Sequence, residues 1–200
     1  MLPTSRDEIM AWRRETRQRL LAARQDISVG QRKAASGAIQ ARLEQVAGPL
    51  AGLIVSAYWP LRGEPDLRPW LAGLHQQGVR CAMPLVVARG EPLRFRPWYP
   101  GCRMEKGYWD IPVPAEGPFI TPDLLIAPVV GFDTRCFRLG YGGGYFDRTL
   151  ATLPAGYRAL GVGYEAAALA SIHPLAHDIP LQAIVTEQRL YSPFPASPAV

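Results

Sequence analysis

Asp123-Leu-Leu-Ile-Ala-Pro-Val-Val130 has no polar side chain after its first residue, and seven residues later the chain reads Phe137-Arg-Leu-Gly-Tyr-Gly-Gly-Gly-Tyr-Phe-Asp-Arg148. A strand with one wet face alternates polar and apolar positions. An unbroken apolar run of this length fits a strand covered on both faces, as in a parallel sheet sandwiched by helices. The glycines then interrupt regular structure, and the pattern from about Tyr145 to Leu153 predicts a helix. In an open α/β sheet, ligands bind at such a strand-to-helix junction, outside the carboxyl ends of the strands.

Working outward, Leu53–Tyr58 reads as a buried strand, Leu67–Gln77 as a helix and Val79–Met83 as the next strand, which makes a βαβ unit. Pro92–Trp98 alternates like an edge or hairpin strand, and Tyr99–Thr121, rich in Gly and Pro, reads as a long surface excursion. Downstream, strands are expected at Ala159–Val162 and Ala183–Thr186. Two helices precede all of this. Ser5 with Glu8 forms a capping box opening a helix to Arg24 with a basic face, and Ser28 opens a second whose apolar stripe ends at Gly48-Pro49. The expectation is an α/β fold: one three-layer αβα domain over residues 1–192 with a largely parallel central sheet, two N-terminal helices, and a frayed tail over 193–200.

The 200 residues are 48% hydrophobic and 20% charged, which excludes disorder as the main state. No apolar run spans a bilayer, and no secretory leader pattern opens the chain, so a soluble, cytoplasmic protein without a membrane partner is expected. Cys81, Cys102 and Cys136 are odd in number and lack CxxC spacing, as expected of reduced thiols in a cytosol. Of 22 basic residues only Lys33 and Lys106 are lysines. Arginine favours bidentate binding of phosphate or carboxylate, but a GC-rich genome produces the same bias, so position must decide. The net charge of +5 is spread without any nucleic-acid-binding signature, and no nucleic-acid partner is expected.

Gly140, Gly142, Gly143 and Gly144 free the backbone to turn its amides towards an anion, and the following helix adds its positive N-terminal end. Arg138 and Arg148 flank the loop, and Asp147 is a carboxylate placed to hold Mg²⁺ beside phosphates. This is not a Walker A loop. Gly161-Val-Gly163-Tyr-Glu-Ala166, with Glu187 further on, approaches a dinucleotide fingerprint and raises a nicotinamide oxidoreductase as a rival; tight packing of a late strand is the plainer explanation. His173 and His177 have helical metal spacing, but Pro174 opposes the helix it requires. Asp178 is a second carboxylate on a late loop, with two readings open: joining Asp147 at a metal, or capping a turn.

The segment Arg138–Arg148, with Pro128-Val-Val-Gly-Phe-Asp133, Tyr58-Trp-Pro60 and Glu64, Trp109-Asp-Ile-Pro112 and the closing His177-Asp-Ile-Pro-Leu-Gln-Ala-Ile-Val-Thr-Glu187, resembles the 5-formyltetrahydrofolate cyclo-ligase family over nearly the whole chain. The resemblance implies a ligase of folate one-carbon metabolism that uses ATP and Mg²⁺ to convert 5-formyltetrahydrofolate into 5,10-methenyltetrahydrofolate, releasing ADP and phosphate. It implies that ATP meets Arg13, Arg17, Arg138, Leu139, Gly140, Tyr141, Gly142, Gly143, Gly144, Tyr145 and Phe146. The folate would meet Arg17, Trp59, Glu64, Trp109, Tyr141, Gly142, Gly143, Gly144 and Tyr145. Arg138, Tyr145 and Arg148 would serve the chemistry, and Asp147 and Asp178 would hold the metal. Arg13 stands where Lys is common, Val113 and Gln182 where acids are common, and Phe146 where a second Tyr is common. These departures keep open a paralogue with another small substrate, or folate binding without turnover. A monomer or weak homo-oligomer is expected.

Overall fold

The computed structural model describes residues 3–193, so the tail expected over 193–200 lies almost wholly outside the described residues. Among the described residues four α-helices form: α1 (Arg6–Gln25), α2 (Val29–Ala47), α3 (Arg68–Gln76) and α4 (Tyr145–Thr152). α1 starts where expected, because the Glu8 amide donates to Ser5 Oγ (3.2 Å) and the Ser5 amide donates to Glu8 Oε2 (2.9 Å). Ser28 and Gln31 repeat the device for α2, which stops at Gly48, whose φ of +63° few other residues adopt.

The strands are β1 (Ile54–Ser56), β2 (Arg80–Leu85), β3 (Arg94–Pro97), β4 (Met104–Lys106), β5 (Pro112–Pro114), β6 (Leu124–Pro128), β7 (Gly131–Asp133), β8 (Arg138–Leu139), β9 (Arg158–Val162), β10 (Ala168–Leu169), β11 (Ala183–Val185) and β12 (Leu190–Tyr191). A seven-stranded sheet has the order β12-β11-β9-β6-β1-β2-β3. Its five inner strands are parallel, while β3 and β12 pair antiparallel at the edges. Side-chain alternation divides β1 and β6 between two cores. Val55, Leu124 and Ile126 pack with Ile39 and Leu43 of α2 and Leu71 of α3; Ile54, Leu125 and Ala127 pack on the other face with Leu20 of α1 and Leu150 of α4. These are the expected three layers, and β6 is buried on both sides. No helix among the described residues is long and apolar enough to cross a membrane.

Two departures concern small elements. The excursion after β3 contains the β4–β5 hairpin with a one-turn 3₁₀ helix at Tyr108–Asp110, and the glycine-rich segment contains β7 and β8, which join β10 in a separate three-stranded sheet. Strands of two or three residues are too short to display a period.

The dinucleotide fingerprint dissolves into packing. β9 is followed by a 3₁₀ turn, Glu165–Ala167, where the fingerprint requires a helix. A Cβ on Gly161 would stand 2.8 Å from Ile184 Cγ1 and Leu181 Cδ1, and one on Gly163 would collide with Val129 Cγ2. These glycines let β9 pack against its neighbours. Gly161→Ala is therefore expected to lower stability by about 1–3 kcal/mol through overpacking, read as a fall of at least about 2 °C in Tm. An unchanged Tm would return these glycines to a ligand-binding role.

Candidate active site

The chain leaves β1 towards β2 on one side and leaves β6 towards β9 on the other, so the connections that follow these adjacent strands diverge. Divergence of this kind opens a crevice at the carboxyl edge of a parallel sheet. One connection carries Glu64; the other carries the glycine loop.

Gly142 (φ +100°) and Gly144 (φ +66°) take backbone conformations suited to glycine. Gly144 is the N-cap of α4 and supplies no side-chain acceptor, which leaves first-turn amides of α4 available to an anion. A Cβ on Gly143 would press 2.7 Å from the Tyr145 ring. Arg17 reaches the loop from α1, donating from Nε to the Gly140 carbonyl at 2.7 Å. Arg148 folds back, donating from Nη2 to the Gly143 carbonyl at 2.6 Å, while its buried Nε has no partner. An orphaned guanidinium N–H beside free amides suits a phosphate-bearing ligand.

Beneath the loop the charges alternate. Arg138 Nη2 lies 2.9 Å from Asp147 Oδ2, and the other Asp147 oxygen accepts from the Ile179 amide at 3.1 Å. Arg13 grips Asp178 with two nitrogens, at 3.3 and 2.5 Å, and also donates to the Ile172 and His173 carbonyls. Burial lowers the pKa of Arg138 against the opposing pull of Asp147 and Asp178, and burial together with nearby Arg13 lowers that of Arg17. Burial works to raise Asp178, yet hydrogen bonds from Arg13 and the Leu175 amide hold it below the usual aspartate value. Both carboxylates expected at a metal are thus already bonded to arginine, and no group of three or more His, Cys, Asp or Glu side chains among the described residues is arranged to hold an ion. In this arrangement both acids face arginine, Arg138 for Asp147 and Arg13 for Asp178. The histidine pair gives no site either: His173 has φ +51° and packs edge-on to Trp12, while His177 is exposed.

At the other end of the crevice Glu64 is buried, accepting from Tyr141 Oη at 2.7 Å and from the Leu61 amide at 2.8 Å. Tyr141 therefore belongs to both the loop and the Glu64 cluster. Trp109, 59% exposed and at φ +57°, projects from the β4–β5 hairpin and meets the Tyr145 ring edge-on at 5.6 Å. Trp59 stands apart. Its ring lies under the Arg68 guanidinium (4.6 Å) and lines a groove of about 400 Å³ with Trp98, Tyr99 and Met104, none of them from the loop. Cys81 and Cys136 are buried, which pushes both thiols up to about 11 and keeps them protonated near neutral pH.

The basic face of α1 is not solvated where it matters, because Arg13 and Arg24 are both buried. Arg24, not anticipated from the sequence, donates to Tyr141 Oη and lies 3.9 Å from Glu64 Oε1. Its signal is register: Arg13, Arg17, Leu20 and Arg24 follow at spacings of four, three and four, one stripe of a helix.

Residues 9–187 match the model of the 5-formyltetrahydrofolate cyclo-ligase family. The chain is 30% identical over 146 residues to a 5-formyltetrahydrofolate cyclo-ligase of Escherichia coli K12, covering 68% of this chain and 79% of that protein. It is 30% identical over 151 residues to the one of Mycolicibacterium smegmatis, covering 70% and 76%. The solution structure of Aquifex aeolicus 5,10-methenyltetrahydrofolate synthetase superimposes with a TM-score of 0.80 at 26% identity, over 94% of this chain and 96% of that one.

Proposed function

This chain belongs to the 5-formyltetrahydrofolate cyclo-ligase family, and from that premise we propose that it closes 5-formyltetrahydrofolate to 5,10-methenyltetrahydrofolate at the expense of ATP, in the cytosol. The observation that carries the reading is the shared Tyr141: the amide- and arginine-lined loop that follows β6 is hydrogen-bonded through it to the buried Glu64 carboxylate on the connection that follows β1.

The triphosphate lies against the loop amides and Arg148, with Arg17 and Arg138 in support. Glu64 accepts N–H groups of the pterin, which brings the formyl group to the γ-phosphate. The formyl oxygen attacks phosphorus, the bond to ADP breaks, and the formyl carbon now carries a phosphate in place of a poor leaving oxygen. N10 attacks that carbon, its proton is lost, and the carbon–oxygen bond breaks to release phosphate. Negative charge moves across phosphate oxygens throughout, so arginines and amides fixed in advance supply the catalysis and no covalent enzyme intermediate is needed. Trp109 and Tyr145 cover the reacting atoms from the hairpin side and exclude water.

Mg²⁺ is assigned to the nucleotide rather than to a protein cage. It commonly binds through phosphates and waters with few protein ligands, and it would offset phosphate charge there.

The oxygen bookkeeping is directly testable. With substrate carrying ¹⁸O in the formyl group, the label should appear in inorganic phosphate, one atom per turnover, by mass spectrometry. Unlabelled phosphate would overturn the sequence of steps.

A further inference from the structure

Arg24 takes no part in the steps above, yet only 6% of its side chain is exposed, and Arg is seldom buried unless paired. It sits in the last turn of α1. Its Nε donates to the Arg62 carbonyl at 3.0 Å, and Gln25 Nε2 donates to the same oxygen at 2.5 Å, so α1 grips the turn that carries Glu64. Gly63 makes that turn at φ +77°, and Tyr164 Oη donates to its carbonyl at 2.8 Å. A guanidinium only donates hydrogen bonds. Tyr141 Oη must therefore accept from Arg24, which leaves its single hydrogen for Glu64 Oε1.

Resting on the folate reading given above, we infer that Arg24 is a positioning residue: it keeps Glu64 an ionised acceptor for the pterin and, through Tyr141, ties the nucleotide loop to the folate site. Glu64 is faced by Arg24 from α1, Arg62 on its own turn, Tyr58 at the end of β1, Tyr141 on the loop and Tyr164 beyond β9. Burial raises its pKa above the usual glutamate value, and Arg24 is the foremost influence pulling it back.

The test compares wild type, Arg24→Met, Arg24→Lys and Tyr141→Phe as full chains. The Glu64 carboxyl is titrated by ¹³C NMR, its resonance assigned with Glu64→Gln, and the affinities of 5-formyltetrahydrofolate and ATP are measured separately and together. Arg24→Met should raise the Glu64 midpoint by about one pH unit or more and weaken folate binding at pH 7 about tenfold. Arg24→Lys should restore most of the midpoint. Tyr141→Phe, which removes one hydroxyl and buries no new charge, should abolish most of any gain in ATP affinity produced by bound folate. An unmoved midpoint in folded Arg24→Met, or a lysine variant no better than methionine, overturns the inference. If Arg24→Met fails to fold, wild-type coupling between the ligands in Tyr141→Phe overturns it. The midpoint requires no ligand, so failure of wild type to bind folate would overturn the functional reading and leave the role of Arg24 to the titration.

Discussion

Arg138→Met is expected to lower kcat about a thousandfold. Arg138 is buried, 2.9 Å from Asp147, with Phe146 5.5 Å beneath its guanidinium, so its charge is held in place before the phosphates arrive. Removing one such fixed donor costs about 10²–10³ in rate, and here the loss also leaves Asp147 without its cation partner. Single-turnover measurement of γ-phosphate loss should place the defect in chemistry. Arg138→Lys should recover part of the rate only, since an ammonium lacks the planar fork that could meet Asp147 and a phosphate oxygen together. A methionine variant within about threefold of wild type would remove Arg138 from the chemistry.

Asp147→Asn is expected to lower kcat about a hundredfold while leaving the Mg²⁺ requirement unchanged at fixed ATP. The asparagine keeps an oxygen for the Ile179 amide, accepted at 3.1 Å by the wild-type carboxylate, but loses the charge that orients Arg138. Loss of a metal ligand would instead raise the Mg²⁺ needed for half-maximal rate by about ten- to a hundredfold. Titrating Mg²⁺ against rate in the variant separates the two roles, and a displaced titration would return Asp147 to the metal.

Much of the frame was legible because its signals are local. The apolar run ending at Val130, the capping box at Ser5 and the glycines 140–144 each carry their meaning within a few residues, and they located β6, α1 and the loop. What escaped was of two kinds. β7, β8 and β10 are too short for a pattern and exist only because they pair with one another. The contacts that make the site are distant in sequence: Arg13 with Asp178, Tyr141 with Glu64, Arg24 with the Arg62 turn. Nothing periodic links such partners, and a buried arginine is written with the same letter as a solvated one. Asp147 and Asp178 read from the sequence as carboxylates near a glycine loop; that Arg138 and Arg13 pair with them becomes visible only once α1 and β8 are in place.

Absorbance of the methenyl product, followed when purified protein meets 5-formyltetrahydrofolate with and without ATP and Mg²⁺, tests the proposed ring closure most directly. Growth of that near-ultraviolet band only with the nucleotide present, one ADP per product, is the predicted result. Folded protein that binds both ligands and yields no band would contradict it.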